Sequence, residues 1–171
     1  MIESQRLLLR AFREADRSFL VELLGDESVT ALLLSGRPFE PAAAHGFIDA
    51  ELRGPDEGGL GLGVLALKDT GRPVGFAGLI PCKVEPDELE LGFALHSDVQ
   101  GRGYGTEIGL AQARHALERL GRDRVLALAH PDNEASLAVL RKMGMTRTRQ
   151  VTVPGRGPRL IFELTASRAE S

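Results

Sequence analysis

The sequence predicts one α/β domain, of the α+β kind, built on a mixed and mostly antiparallel sheet flanked by helices. Three observations carry that expectation. The 171 residues suit one domain, since length over about 150 is a soft guide to domain count. The middle of the chain holds three consecutive strand-like runs joined by short turns, the pattern of an antiparallel meander. The second half alternates strand, helix, strand and helix before a closing hairpin.

Taken in order, "RLLLRAF" (Arg6 to Phe12) predicts a short strand and "READRSFLVELLGD" an amphipathic helix. Phe19, Leu20, Leu23 and Leu24 recur there at helical spacing, with Gly25 as the stop. From Glu27 to Gly63 the pattern weakens. "FEPAAAHGFIDAEL" suggests a second helix, with its proline early and Phe47, Ile48 and Leu52 apolar, and "RGPDEGGLGLG" is a loop by composition. "GVLALKD" (Gly63 to Asp69), the turn "TGRP" and "VGFAGLIPC" (Val74 to Cys82) form a hairpin, which "DELELGFALH" (Asp87 to His96) extends. In this third strand Leu89, Leu91, Phe93 and Leu95 face one way and Glu88, Glu90, Gly92 and Ala94 the other. The acidic face is either solvated or aims a carboxylate into a cleft.

A helix is expected from about Gly103 to Leu120, with Leu110, Ala113, Leu117 and Leu120 as its buried stripe and Gly121 as a left-handed cap. "DRVLALAH" is a strand whose continuous apolar run implies burial on both faces. "PDNEASLAVLRKMGM" is a short helix capped by Asp132 or Asn133 and stopped by Gly144. "TRTRQVTV", the turn "PGRGP" and "RLIFELT" close the chain as a hairpin, and residues 166–171 form a polar tail expected to fray. The whole chain, 1–171, is thus expected to be a single domain, with no repeat and no linker.

Composition excludes several classes of function. Apolar residues make up 43% and charged ones 26%, ordinary values for a soluble globular chain. The net charge is −3 and no long basic run occurs, which argues against a nucleic-acid partner. No apolar run approaches the ~20 residues that span a bilayer, so no membrane partner is expected. The start, "MIESQRLLLRAF", lacks the apolar core of a secretion signal. Cys82 is the single cysteine, so no internal disulfide can form, and a cytoplasmic setting is expected. Cys82 lies in an apolar stretch and reads as a packing residue. His45, His96, His115 and His130 match no metal-ligand spacing, and no metal is expected.

One stretch resists a purely structural account. "DVQGRGYGTE" (Asp98 to Glu107) places Gly101, Gly103 and Gly105 at alternate positions just before a helix. Glycine within an element costs roughly 0.5–1 kcal/mol relative to alanine. A tight strand-to-helix turn ordinarily needs one such residue. Helix-start N–H groups lack internal partners, and without Cβ atoms an anion can approach several of them. Thr106 and Arg102 could add a hydroxyl and a charge. The phosphate loop of nucleotide hydrolases needs Lys-Ser/Thr after its last glycine, whereas Gly105 is followed by "TEI". The dinucleotide fingerprint needs its third glycine later and near a first strand. Gly61-x-Gly63-x-x-Ala66 runs into a strand and reads as loop composition.

Gln100-Gly101-Arg102-Gly103-Tyr104-Gly105 fits the Q/R-x-x-G-x-G/A signature of the GNAT superfamily of acyl-CoA N-acyltransferases. "LELGFALHSDVQGRGYGTEIG" resembles the strand, loop and helix of the RimJ/RimL-like branch, which acetylates ribosomal-protein N-termini. "NEASLAVLRKMGM" resembles that branch's N-x-x-S-x-x-x-x-x-K-x-G-F/M segment, and "ESQRLLLRAFREADRSFLVELL" its N-terminal strand and helix. Three segments in order cover most of the chain, with Glu27 to Gly61 matched least.

The resemblance implies a GNAT-like sheet splayed at its centre, with acetyl-CoA as co-substrate. Gly101, Arg102, Gly103, Tyr104, Gly105 and Thr106 would hold the pyrophosphate, mostly through main-chain amides, and Gln100, which opens the signature, would also belong to the cofactor site. The pantetheine arm would lie between "ELGFALH" and "RVLALAH", meeting Phe93, Ala94 and Leu95, with Asn133 bonding from the far side. An N–H on this edge could stabilise the oxyanion as the amine attacks. The attacking amine must lose a proton, and a carboxylate or a water chain can accept it. Glu90 is the first candidate base and Glu88 the second. Many superfamily members place a tyrosine acid where this chain has Leu140, and Ser136 is the branch's usual substitute. Asn133 could also cap the helix, a role compatible with bonding the cofactor, and Ser136 could be only a small residue near the helix start. Arg141 and Lys142 could reach the cofactor's 3′-phosphate or only favour the helix C-terminus, and the second reading is preferred. The acceptor is a primary amine of a small molecule, an amino acid or a protein N-terminus. A non-catalytic acyl-CoA-sensing module is the alternative, and a homodimer is left open.

Overall fold

The expected meander is the spine of the sheet. In the computed structural model, which describes residues 1–166, β3 (Gly61–Leu67), β4 (Pro73–Pro81) and β5 (Leu89–Leu95) pair antiparallel in sequence order. β1 (Ile2–Glu3) and β2 (Leu7–Arg10) extend them on one side. β6 (Arg124–Ala129), β8 (Gly157–Thr165) and β7 (Thr146–Val153) extend them on the other, giving the order β1-β2-β3-β4-β5-β6-β8-β7. The β5–β6 pair is parallel, whereas its neighbours are antiparallel, so the sheet is mixed. Ala166 donates its N–H to the Asp123 carbonyl, and the rest of the expected tail lies outside the described residues.

Among the described residues, five α-helices cover both faces: α1 (Arg17–Gly25), α2 (Glu27–Thr30), α3 (Pro41–Glu51), α4 (Tyr104–Arg114) and α5 (Glu134–Lys142). Side chains alternate along a strand, so Val64 and Leu65 serve different faces. Val64, Phe76 and Ala94 pack against Leu20 and Leu23 of α1 and Ile48 of α3. Leu65, Leu91, Val125 and Phe162 pack with Ile108 and Ala113 of α4 and Leu137 and Leu140 of α5. Burial on both sides is why the central strands read as apolar runs.

Several expectations need correction. The strand placed at Gly63–Asp69 runs instead from Gly61 to Leu67. The weakly patterned segment contains α2, which Asp26 caps by accepting from the Ser28 N–H. Of the two readings left open for the acidic face of the third strand, burial holds at Glu90, which is only 6% exposed, while Glu88 is half-buried just before β5. The stripe assigned to α4 was wrong at Leu110, which is 38% exposed. Tyr104, Gly105, Ile108, Gly109, Gln112 and Ala113 face inward instead. A Cβ on Gly109 would stand 2.5 Å from Met143 Sδ, so the small residue lets α4 and the Met143 side chain approach closely. After Arg114 the helix widens into a π turn over His115–Arg119, and Gly121 then takes φ 62°.

A buried ion pair anchors the start of α1. Arg10 donates to both Asp16 carboxylate oxygens at 2.7 and 2.9 Å, and the Arg13 N–H donates at 2.9 Å. Burial pushes this carboxyl up, but the Arg10 and Arg13 hydrogen bonds outweigh it and hold Asp16 below its ordinary value. A depressed carboxyl stabilises the fold above its unfolded pKa, and that stability is lost as pH falls through the folded one. Asp16→Asn is therefore expected to cost about 3 kcal/mol at neutral pH, by denaturant unfolding. The two proteins should converge as pH falls through the depressed Asp16 pKa. A constant gap across that range would contradict the assignment.

Candidate active site

β5 and β6 touch at a single register pair, Glu90 with Leu126. Beyond it the strands part, and the Phe93–Leu95 edge of β5 has no strand partner on that side. The parting opens a channel of about 430 Å³. Phe93, Ala94 and Leu95 form one wall, the glycine turn forms one end, and Asn133, Ser136, Val139 and Lys142 of the α5 segment form another wall. Ser28, Val29, Ala31, Leu32 and Leu33 close it from above, in the segment whose sequence carried least pattern.

The three glycines of the turn serve different ends. Gly101 and Gly103 have φ of 77° and 81°, a region that L-residues with side chains avoid. Gly103 is the N-cap of α4 and no side chain among the described residues caps the helix, so its first N–H groups are left for an outside acceptor. A Cβ on Gly101 would meet nothing within 4 Å, and one on Gly103 only Arg6 Nη2 at 3.5 Å. Open space lies above the turn, and the main chain there fits an anion such as a pyrophosphate. At Gly105 a Cβ would stand 3.1 Å from the Phe93 ring and 3.3 Å from Val139, so this residue sets how closely α4 approaches β5 and α5.

A bracket unforeseen in the sequence holds the turn. Glu107 accepts from the Ser4 hydroxyl at 2.6 Å, the Arg6 N–H at 2.7 Å and Arg6 Nε at 2.7 Å. Arg6 Nη2 donates to the Arg102 carbonyl at 3.1 Å, and the guanidinium lies 4.5 Å from the Tyr104 ring centre. The loop is thereby tied to the start of the sheet.

Nearly all the residues expected to bind the co-substrate meet in this channel: Phe93, Ala94, Leu95, Gln100, Gly101, Gly103, Tyr104, Gly105, Thr106, Asn133 and Ser136 line it. Arg102 does not; it is exposed and offers its carbonyl to Arg6. Gln100 lines the channel, yet its Nε2 donates to the Leu95 carbonyl at 3.1 Å, joining the turn to the end of β5. Asn133, rather than Asp132, caps α5, its Oδ1 accepting from the Ser136 N–H at 3.1 Å.

A smaller chamber of about 110 Å³ shares Leu32, Leu33, Phe93, Ala94, Asn133 and Ser136 with the channel. Glu90, Arg156 and Arg159 are its charged lining, with His130 at its edge. Glu90 Oε2 is buried without a hydrogen-bond partner among the described residues, and Oε1 lies 3.8 Å from Arg156 Nη1. Burial pushes the Glu90 carboxyl above its ordinary range, opposed by the nearby Arg156, Lys83 and Arg159 charges. Glu88, the second candidate base, is instead bound to Arg124 Nε at 3.0 Å, in a cluster with Glu85 and Glu163. Leu140 is buried beside the chamber and carries no acid. Neither Arg156 nor Arg159 was singled out from the sequence. Among the described residues no group of His, Cys, Asp and Glu is placed to hold a metal ion.

A sheet splayed beside a glycine turn, with a channel and chamber meeting in the gap, defines an acyltransferase of the GNAT class. The chain belongs to this family: the profile of the acetyltransferase (GNAT) domain matches residues 6–146. It is 25% identical over 143 residues to the uncharacterised protein YkkB of Bacillus subtilis, covering 83% of each chain. The fold is similar to that of a GNAT-family acetyltransferase from Bacillus anthracis, with a TM-score of 0.81, 19% identity, and 97% and 98% of the two chains covered. It is also similar to the aminoglycoside acetyltransferase AAC(6')-Ib in complex with ribostamycin and coenzyme A, with a TM-score of 0.76, 18% identity and 96% of each chain covered. The family expected from the glycine signature and its neighbours is thus borne out. No helix among the described residues is long and apolar enough to cross a membrane.

Proposed function

We propose that this chain is an acetyl-CoA-dependent N-acetyltransferase of the RimJ/RimL-like branch, acting directly on a primary amine. The observation that carries the proposal is the junction of channel and chamber at Ala94, Asn133 and Ser136, where a donor on one side would meet an acceptor on the other. The branch rests on the likeness of "NEASLAVLRKMGM" and "LELGFALHSDVQGRGYGTEIG" to its segments.

Acetyl-CoA supplies an acyl group activated as a thioester. The amides of Gly101 to Thr106 hold its pyrophosphate, and the free edge at Phe93–Leu95 pairs with its arm. A main-chain N–H of that edge offsets the negative charge that develops on the acyl oxygen. An acceptor arriving as an ammonium group carries three protons. Glu90 takes one, directly or through water, and the raised pKa brings this carboxylate closer to the operating pH. As the C–N bond forms and the C–S bond breaks, a second proton reaches the leaving sulfur from the Ser136 hydroxyl, which regains it from the amine. The third stays on the amide nitrogen.

Calorimetry with acetyl-CoA, followed by thiol release in a panel of amines, tests the proposal. Binding with amine-dependent release is expected, and Ser136→Ala should lower kcat by about tenfold or more. No heat at millimolar acetyl-CoA would end the donor assignment. Binding without release from any amine would favour the acyl-CoA-sensing alternative.

A further inference from the structure

We infer that the acceptor is a small primary amine carrying its own anionic group, a carboxylate or a phosphate, which Arg156 receives in the chamber while Glu90 faces the amine. This rests on the acetyltransferase reading above. The chamber is positively biased, because two arginines face one carboxylate whichever way Glu90 is ionised. His130 adds nothing opposing, and its ring is engaged with Asp132.

The two arginines differ in how they are satisfied. Arg159 is 4% exposed and donates to the carbonyls of Arg156 at 2.7 Å, Pro158 at 2.8 Å and Leu34 at 3.1 Å. It is a fixed charge with no carboxylate hydrogen-bonded to it among the described residues. The Arg156 side chain is 17% exposed, and its nearest acidic atom, Glu90 Oε1 at 3.8 Å, is beyond hydrogen-bond range. Its guanidinium therefore has no acceptor among the described residues, although a largely buried guanidinium presents five donors. A carboxylate or phosphate oxygen pair matches that planar fork.

Glu90 poses the complementary demand. Its Oε2 is buried and lacks a donor among the described residues. An ammonium and an anion on one small molecule answer both needs, one toward Glu90 and the other toward Arg156. The volume of about 110 Å³ favours a molecule in which the two groups are few bonds apart. A polycationic aminoglycoside would bring several positive charges toward the two arginines, at a cost in a low-dielectric chamber.

The test measures thiol release by the full chain with acetyl-CoA. The acceptors are free L-amino acids, their methyl esters, O-phosphoethanolamine, ethanolamine and ribostamycin. We expect kcat/KM for an anionic acceptor to exceed that of its neutral counterpart by about tenfold or more, since a site built for a polar group discriminates against its absence. Whether the amino acids or O-phosphoethanolamine lead identifies the anion. Arg156→Gln should raise KM for the anionic acceptor and reduce the preference to within about twofold, with acetyl-CoA affinity unchanged. Arg156→Lys should restore part of the preference. Equal or faster transfer to esters, ethanolamine or ribostamycin would overturn the anionic acceptor and leave the acetyltransferase standing. A preference unaltered in a folded, acetyl-CoA-binding Arg156→Gln would overturn the role of Arg156. Donor binding with no transfer to any amine would overturn both readings. The wild-type comparison of acid with ester stands even if a variant fails to fold.

Discussion

Gly103→Val is expected to weaken coenzyme A binding by about a hundredfold while the protein remains folded, the equivalent of about 2.7 kcal/mol. Gly103 sits at φ 81° as the N-cap of α4. A β-branched residue does not accept that conformation, and the left-handed region costs an L-residue roughly 1–2 kcal/mol even without branching. The turn would relieve the strain by rotating the peptides on either side, and those peptides carry the amides that face the open space. Each hydrogen bond to a charged group is worth about 1.5–3 kcal/mol, so misplacing one or two accounts for the effect. The core is untouched, because the added Cβ would meet only Arg6 Nη2 at 3.5 Å. Calorimetry on the variant, with its melting temperature as a folding control, provides the measurement. An unchanged dissociation constant would mean that the pyrophosphate is held elsewhere.

Glu90→Gln should lower kcat by about a hundredfold or more, the scale of a general base, without altering acetyl-CoA affinity. The pH profile separates this role from a structural one. Burial raises the Glu90 carboxyl, so in the native enzyme the rate should climb with pH through that elevated pKa. The glutamine variant should lack this limb and keep only the ionisation of the amine. Stability moves the opposite way. A folded pKa above the ordinary 4.5 means that the native state holds a proton the unfolded chain has released. Stability is therefore full below that value and falls as pH rises through the elevated pKa. Unfolding curves of Glu90→Gln should not show that decline. A variant as fast as the native enzyme would remove Glu90 from the mechanism and leave the donor channel as described.

What the sequence disclosed depended on how locally the determinants act. The turn at Gly101–Gly105 was readable because its main-chain conformation is written in the glycines themselves. The continuous apolar run of β6 announced burial on both faces, and it indeed supplies Val125 to one cluster and Leu126 to another. α4 misled because its inner face mixes Gly105, Gly109, Gln112 and Ala113, which carry little hydrophobic signal, with Tyr104 and Ile108, while Leu110 on the outer side carries much. Arg159 was missed for a different reason. Alternation places it in phase with buried Ile161, but an arginine near a hairpin turn reads as a surface residue. Its partner, the Leu34 carbonyl, lies 125 positions away in a segment with no period at all. Arg6 and Glu107 likewise meet across 101 positions. Contacts of that range are fixed only once the sheet has formed.

The single Glu90–Leu126 pair between β5 and β6 has a thermodynamic consequence beyond opening a gap. It makes the eight strands two smaller sheets, β1 to β5 and β6 to β8, with their main chains stitched together at one point. A donor lying along the free edge of β5 would act as a guest strand and complete the seam. Its binding would then count toward the folding free energy of the chain, by about 2.7 kcal/mol at a hundred times its dissociation constant. On the function proposed above, the stability of this enzyme in a cell would follow the local supply of acetyl-CoA, and the purified chain without it would be the weaker form.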